Sequence, residues 1–305
     1  MEFGKIALHE VATSDFSLPA DPVFTKDTLQ RSSYPQKLKV HVGCVGWGNK
    51  DWLGEVYPEG TKESKYWEAY ARQFNLMELN ATFYQIYPPE TIAKWKERVA
   101  INPDFLFCPK FPKQISHVQS LYGTQELTTV FYENILAFGE KLGPLFLQLS
   151  DYFGPDRFTE LETYLKQLPQ DIPVFVELRH EGWFSDKQMQ EKVFLMLRSL
   201  NIGAIITDVA GRRDVAHMYL TVPSAFIRFV GSHEFPAISY QRADAWIERI
   251  KSWQQQGLQS LYLFVHLQQS IVEPKMVDYF INRLNTEFGL EVKRPRFIPK
   301  PLSLF

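Results

Sequence analysis

The sequence predicts an α/β fold, a single (β/α)8 TIM-like barrel. Three observations carry this expectation. Eight short apolar runs rich in β-branched and aromatic residues recur along the chain. Helix-like stretches with a period near 3.6 lie between them. The runs are apolar on both faces in their first halves, as strands covered on both sides must be. Strand, crossover and parallel strand repeated eight times is the pattern of a barrel. A doubly wound open sheet shares the alternation, because strand order cannot be read from one sequence.

The strand-like runs are 40–46 (VHVGCVG), 76–83 (LMELNATF), 105–110 (FLFCPK), 144–149 (PLFLQL), 173–179 (PVFVELR), 203–208 (GAIITD), 225–230 (AFIRFV) and 260–266 (SLYLFVH). Helical spacing is clearest over 63–74, 89–99, 126–142, 157–168, 186–200 and 241–256. Pro89 followed by Glu90 is a helix-start signal, since proline's fixed φ suits the first turn. The link between strands six and seven is short and carries the polar AGRRD, so its helix is expected to shrink to a turn or two. Residues 1–38 are polar and proline-containing and read as an N-terminal arm. The barrel domain is expected over 39–305, and its tail, KRPRFIPKPLSLF, suits a strap against the outside.

Composition narrows the setting. A chain of 305 residues with 45% hydrophobic residues can bury a large core. Its net charge of −2 exerts no global pull toward nucleic acid or membrane. The N-terminus has no apolar core behind a basic start, and no run approaches the roughly 18–20 apolar residues of a spanning helix. Cys44 and Cys108 both lie inside apolar runs and are expected to be buried free thiols, which suits a reducing cytoplasm.

The polar residues are placed unevenly. Catalytic groups of a barrel gather where strands end and the following loops begin. The ends here carry Glu78 and Asn80, Lys110, Gln148, Glu177 and Arg179, Asp208, Arg228 and His266. Burying unpaired charge is expensive, so stability alone does not explain polar ends on apolar strands. A polar floor at the barrel mouth does. Glu177 and Arg179 sit two apart and so share a face of their strand.

Five segments also carry a family resemblance: GCVGWGNKDWLGEVYP, MELNATFYQIYPPETIAKW, FLFCPKFPKQISH, LFLQLS and VFVELRHEGWF. In order and spacing they resemble the uncharacterised YecE-like family, domain of unknown function 72, over about residues 40–290. The resemblance implies a TIM barrel with a polar pocket and no established reaction. Carried over position by position, it implies pocket residues Glu78, Asn80, Tyr84, Lys110, His117, Gln148, Glu177, Arg179, His180, Trp183, Asp208 and Arg228. The sequence departs from the family late. IRFVGSHE and LFVHLQQS stand where the family has a histidine-glycine and asparagines.

The chemistry of this set points to an anion. Glu78, Glu177 and Asp208 face Lys110, Arg179 and Arg228, three of each sign. A divalent metal wants a surplus of carboxylate and imidazole, so interleaved cations argue against one, although Glu78, Glu177, Asp208 and His266 make an oxygen-nitrogen set. No cofactor is indicated. Arginine forks suit phosphate or carboxylate. The catalytic candidates are therefore Glu78, Lys110, Glu177, Arg179 and Asp208. Glu177 would serve as base or hydroxyl clamp, and Glu78 as acid. Lys110 would polarise a carbonyl or form a Schiff base if its pKa were depressed. Candidate substrate contacts are Asn80, Tyr84, His117, Gln148, His180, Trp183, Arg228 and Trp47.

Plainer roles stand beside these. Glu177 with Arg179 also reads as a structural ion pair, with Lys110 capping the network. His117 and His180 equally suit hydrogen bonds to loop backbone. His266 reads better as a satisfied core histidine than as a ligand. Trp47, Trp52 and Trp183 can stack on a sugar or base, or simply pack their loops. Two function classes follow. One is an enzyme or binder acting on a small anionic or polyhydroxylated molecule such as a sugar, sugar phosphate or hydroxy acid. The other is a nucleic-acid-binding or nucleic-acid-processing protein using the mouth as a groove, against which the absence of a basic run counts.

Overall fold

The structure, a computed structural model, describes residues 3–31, 37–267 and 269–299. Eight strands run parallel: β1 (Lys39–Cys44), β2 (Leu76–Leu79), β3 (Leu106–Pro109), β4 (Leu145–Gln148), β5 (Val174–Glu177), β6 (Gly203–Asp208), β7 (Ser224–Gly231) and β8 (Ser260–Leu267). They are hydrogen-bonded in the order β3-β2-β1-β8-β7-β6-β5-β4. The two ends of that order, β3 and β4, meet through isolated bridges, Phe107 with Leu142 and Lys110 with Phe146. The sheet is thus a nearly closed (β/α)8 barrel with one thin seam.

Why the strands read as continuous apolar runs is now clear. Their residues alternate between two separate hydrophobic clusters. Val42, Met77, Phe107, Leu147, Val176, Ile206, Ile227 and Leu263 face outward to the helices. Leu76, Cys108, Phe146, Phe175, Ile205, Phe226 and Phe264 fill the inside. Burying each large side chain contributes roughly 1.5–3 kcal/mol.

Crossover helices are Tyr66–Gln73, Pro89–Arg98, Gln125–Ile135, Phe158–Lys166, Lys187–Ser199 and Pro236–Gln256, and Glu273–Phe288 follows β8. Between β6 and β7 the described helix is a single 3₁₀ turn, Arg213–Val215, as the short polar link predicts. Three expectations shift. The second strand ends at Leu79 because Asn80 turns into helical backbone, opening the short helix Ala81–Tyr84. The helix expected over 126–142 ends at Ile135 and continues as a 3₁₀ stretch broken at Gly139, whose φ is +54°. The helix before β8 starts at Pro236, where the ring satisfies the first turn, rather than at 241.

One glycine is required by close approach. A Cβ on Gly43 would lie 1.9 Å from the Leu76 carbonyl oxygen, because β1 and β2 press together there. Gly43→Ala is therefore expected to destabilise the barrel by roughly 2–3 kcal/mol through forced strand separation. Urea denaturation measures it.

The arm lies over the barrel. Gly211 donates its N–H to the Gly4 carbonyl at 2.8 Å. In the arm helix Val23–Gln30, Thr25 Oγ1 donates to the Met218 carbonyl and accepts from Leu220 N–H. The tail straps the outside, with Ile298 N–H bonded to the Glu55 carbonyl and Arg294 forked onto Asp278. Residues 1–2 and 32–36 of the arm and 300–305 of the tail lie outside the described residues.

Candidate functional site

A charged layer closes the barrel interior at the C-terminal ends of the strands. Each member sits two residues beyond an inward apolar residue: Glu78 after Leu76, Lys110 after Cys108, Gln148 after Phe146, Glu177 after Phe175, Thr207 after Ile205, Arg228 after Phe226, His266 after Phe264. Strand alternation alone puts these side chains on one level. The ladders set neighbours, pairing Gln148 with Glu177 and Thr207 with Arg228.

Arg228 is the centre of this layer. Its Nε and Nη2 donate to the two carboxylate oxygens of Glu78 at 3.0 and 3.1 Å. Its Nη1 donates to Glu177 Oε1 at 3.0 Å. All three residues are buried. Glu177 also accepts from Thr207 Oγ1 at 2.5 Å and from Gln148 Nε2, and Arg179 Nε lies 3.3 Å from its Oε2. Burial raises the Glu177 pKa. The two arginines and these hydrogen bonds outweigh it and hold the carboxyl well below its ordinary value. Burial likewise lowers the Arg228 pKa, and the two carboxylates more than reverse it.

Lys110 stands at the edge of this network. Its Nζ donates to Gln148 Oε1 at 2.8 Å and lies 4.3 Å from the centre of the Phe83 ring. Burial brings its pKa down to about 8 despite the nearby carboxylates. Asn80 Nδ2 donates to Glu78 Oε1 at 3.0 Å. His117, on a one-turn π-helix after β3, contacts Ser116 Oγ at 2.8 Å and meets the Phe83 ring edge-on. Burial, with the charges of Lys110 and Arg179, lowers its pKa. Seven expected residues therefore form one connected network: Glu78, Asn80, Lys110, Gln148, Glu177, Arg179 and Arg228. His117 adjoins it.

The remaining expected residues fall elsewhere. Asp208 does not join, because its position on β6 has the opposite parity to Thr207. It points into the helical layer, where it pairs with Arg213 and Arg242 and accepts from Trp246 Nε1 at 2.8 Å. Trp183 is fully buried, its Nε1 donating to the Phe153 carbonyl at 2.8 Å. Trp47 is half-buried and tilts against Trp67, with ring centres 4.1 Å apart. The Trp183 indole offers no free face to a ligand. His180 accepts the Gly182 N–H at 3.0 Å through Nδ1, a loop-backbone bond. Tyr84 is 71% exposed at the rim.

Some groups escaped the sequence reading. Thr207 was hidden behind the more conspicuous Asp208, although counting two from Ile205 finds it. Phe3 of the arm lies over the Arg179 guanidinium, 4.3 Å from its carbon, a contact between segments far apart in sequence. A cavity of about 40 Å³ lies between the arm, the end of β7 and the loop after β6, against His266. Glu273, at the start of the last helix, accepts the Leu267 N–H and lies 3.7 Å from His266 Nδ1. Burial raises Glu273 to about 8 and lowers His266 to about 4, so at pH 7 the contact joins two largely neutral groups rather than an ion pair. Among the described residues no group of three His, Cys, Asp or Glu side chains could hold a metal ion. No helix among them is long and apolar enough to cross a membrane.

Comparison with known proteins agrees with this architecture. Residues 41–300 match the family described as protein of unknown function DUF72. The chain is 28% identical over 284 residues to the UPF0759 protein YecE of Escherichia coli strain K12, covering 87% of this chain and all of that one. It is 26% identical to the UPF0759 protein YunF of Bacillus subtilis over 165 residues, 52% of this chain and 56% of the relative. A DUF72 family protein of Thermotoga maritima superposes with a TM-score of 0.62 at 22% identity, covering 81% of this chain and 99% of that one. One from Enterococcus faecalis superposes with a TM-score of 0.61 at 19% identity, covering 87% of this chain and 100% of that one. These two likenesses concern the fold. With its barrel and the matched span, the chain belongs to the DUF72 family, the YecE-like proteins.

Proposed function

We propose that this protein binds, and acts on, a small anionic and hydroxylated molecule at the barrel mouth. One observation carries the reading. With Asp208 turned away, the layer holds two carboxylates, Glu78 and Glu177, against three cations, Lys110, Arg179 and Arg228. One positive charge is in excess in a mostly dry site. Arg228 is consumed by both carboxylates, so the excess rests on Arg179 and Lys110. Arg179 is the most exposed of the five, at 12%, and commits only Nε to Glu177, leaving its fork for a carboxylate or phosphate. Tyr84, Tyr122 and Tyr152, on the loops after β2, β3 and β4, are exposed and supply faces for a sugar or other hydroxylated body.

Glu177 takes a supporting part here. Its oxygens are engaged by Arg228, Thr207, Gln148 and Arg179, so it orients cations rather than receiving substrate protons. The test is a thermal-shift screen with inorganic phosphate, sugar phosphates, hydroxy acids and short single-stranded DNA. A small anion is expected to raise the melting temperature of the wild type and to do so at least tenfold less potently in Arg179→Ala, about 1.4 kcal/mol or more of binding. Arg179→Ala itself is expected to cost less stability than Arg228→Met, because Glu177 keeps Arg228, Thr207 and Gln148. A shift with DNA alone would move the assignment to nucleic acid. No shift with any of them would remove it.

A further inference from the structure

Resting on that anion site, we infer that Lys110 forms an imine with the oxo group of a small carbonyl acid or carbonyl phosphate whose charged end sits on Arg179. A comparison within the chain distinguishes this lysine. Lys141 is also buried, and its Nζ is satisfied by two backbone carbonyls, of Asn102 and Pro103, at 2.8 and 2.5 Å. That is a lysine built into a wall. Among the described residues Lys110 Nζ has one hydrogen-bond acceptor, the neutral amide oxygen of Gln148. Two aromatic faces, Phe83 and Phe146, lie 4.3 and 5.3 Å from its Nζ. Both carboxylates near it, Glu78 and Glu177, are bound to Arg228, and none lies within ion-pair distance of Lys110 among the described residues.

A primary amine on an apolar bed, beside cations and without its own carboxylate, is the arrangement that keeps an amine partly neutral and nucleophilic. The lowered pKa of about 8 agrees, and leaves roughly a tenth of the side chain unprotonated at pH 7. The surrounding titratable and charged groups are Glu78, Glu177, Arg179, Arg228 and His117. Arg179 connects to Lys110 through Glu177 and Gln148. That link suits a molecule carrying its anionic group a few atoms from its carbonyl.

The step balances without an outside oxidant or reductant. The Lys110 nitrogen bonds to the carbonyl carbon while the carbon–oxygen double bond is lost. Two of the three ammonium protons leave with that oxygen as water. The third stays on the iminium nitrogen, which keeps the positive charge. The iminium then draws electrons from the adjacent carbon, so proton loss or carbon–carbon cleavage there becomes the accessible chemistry.

Reductive trapping tests it on the full chain. Pyruvate, glyoxylate and dihydroxyacetone phosphate are each incubated with the protein and sodium cyanoborohydride near pH 7.5, and the sites of alkylation are read by peptide mass. Labelling at Lys110 by at least one probe is expected to exceed that at the exposed Lys62 by about tenfold. It should vanish in Lys110→Arg, which keeps the charge, and fall severalfold in Arg179→Ala, with circular dichroism confirming that each variant is folded. Labelling spread evenly over exposed lysines, or absent from Lys110 with all three probes, overturns the imine. The same probes in the thermal-shift assay separate the two readings. A raised melting temperature without Lys110 labelling leaves the anion site standing and removes the imine, whereas silence in both assays removes the imine, and the anion site falls too only if phosphate, sugar phosphates and hydroxy acids are also silent.

Discussion

Arg228→Met is expected to cost the barrel about 3–5 kcal/mol, because it strips buried Glu78 of the guanidinium bound to it and leaves buried Glu177 with Arg179 alone. Glu78 and Glu177 are each 1% exposed, so water cannot take over the role of the guanidinium. The pH dependence should weaken with the substitution. In the wild type the Glu177 pKa is depressed below the ordinary 4.5, so its contribution is complete above that pH and is lost as pH falls toward the folded value. Arg228→Met removes one of the two arginines that oppose the burial of Glu177, so its folded pKa moves up and the loss of stability in acid shrinks. Urea denaturation at about pH 3.5 and about pH 6 reads the change. The triple variant Glu78→Gln, Glu177→Gln, Arg228→Met should recover much of the loss, since neutral amides remove the stranded charge.

Asp208→Ala is the second large effect, and it separates two kinds of buried charge. Asp208 is fully buried between Arg213, Arg242 and Trp246. Removing it strands Arg242, itself 4% exposed, at a cost of about 3 kcal/mol or more. Ligand-induced stabilisation at the mouth should be unchanged once measured against the variant's own baseline, because Asp208 touches none of the inner layer. Loss of the ligand effect together with stability would place Asp208 back among the binding groups. Arg179→Ala is the mirror case, with less stability lost and most of the ligand effect gone.

These contrasts show how far the sequence could be read. The barrel was legible because eight apolar runs alternate with helical stretches, a pattern set by local chemistry. Most of the charged layer was legible for the same reason, since strand ends can be located to a residue or two. Asp208 shows the limit. A carboxylate attracts attention over a threonine, yet parity, counted from Ile205, selects Thr207. The tryptophans show another limit. Trp183 follows β5 where an indole can face a ligand or a neighbour, and only its burial and its bond to the Phe153 carbonyl decide. Phe3 over Arg179 joins the N-terminal arm to the segment just after the fifth strand, a contact that no local pattern encodes.

The thin seam between β3 and β4 gives the site a mechanical property of its own. A barrel wall is a hoop, and its most easily opened point is where fewest backbone bonds cross. Here that point is crossed by two isolated bridges and by the side-chain bond from Lys110 to Gln148. A molecule that grips both of those residues is a clasp on the hoop. Its binding stiffens the wall, and the stiffness of the wall in turn sets how easily it lets go.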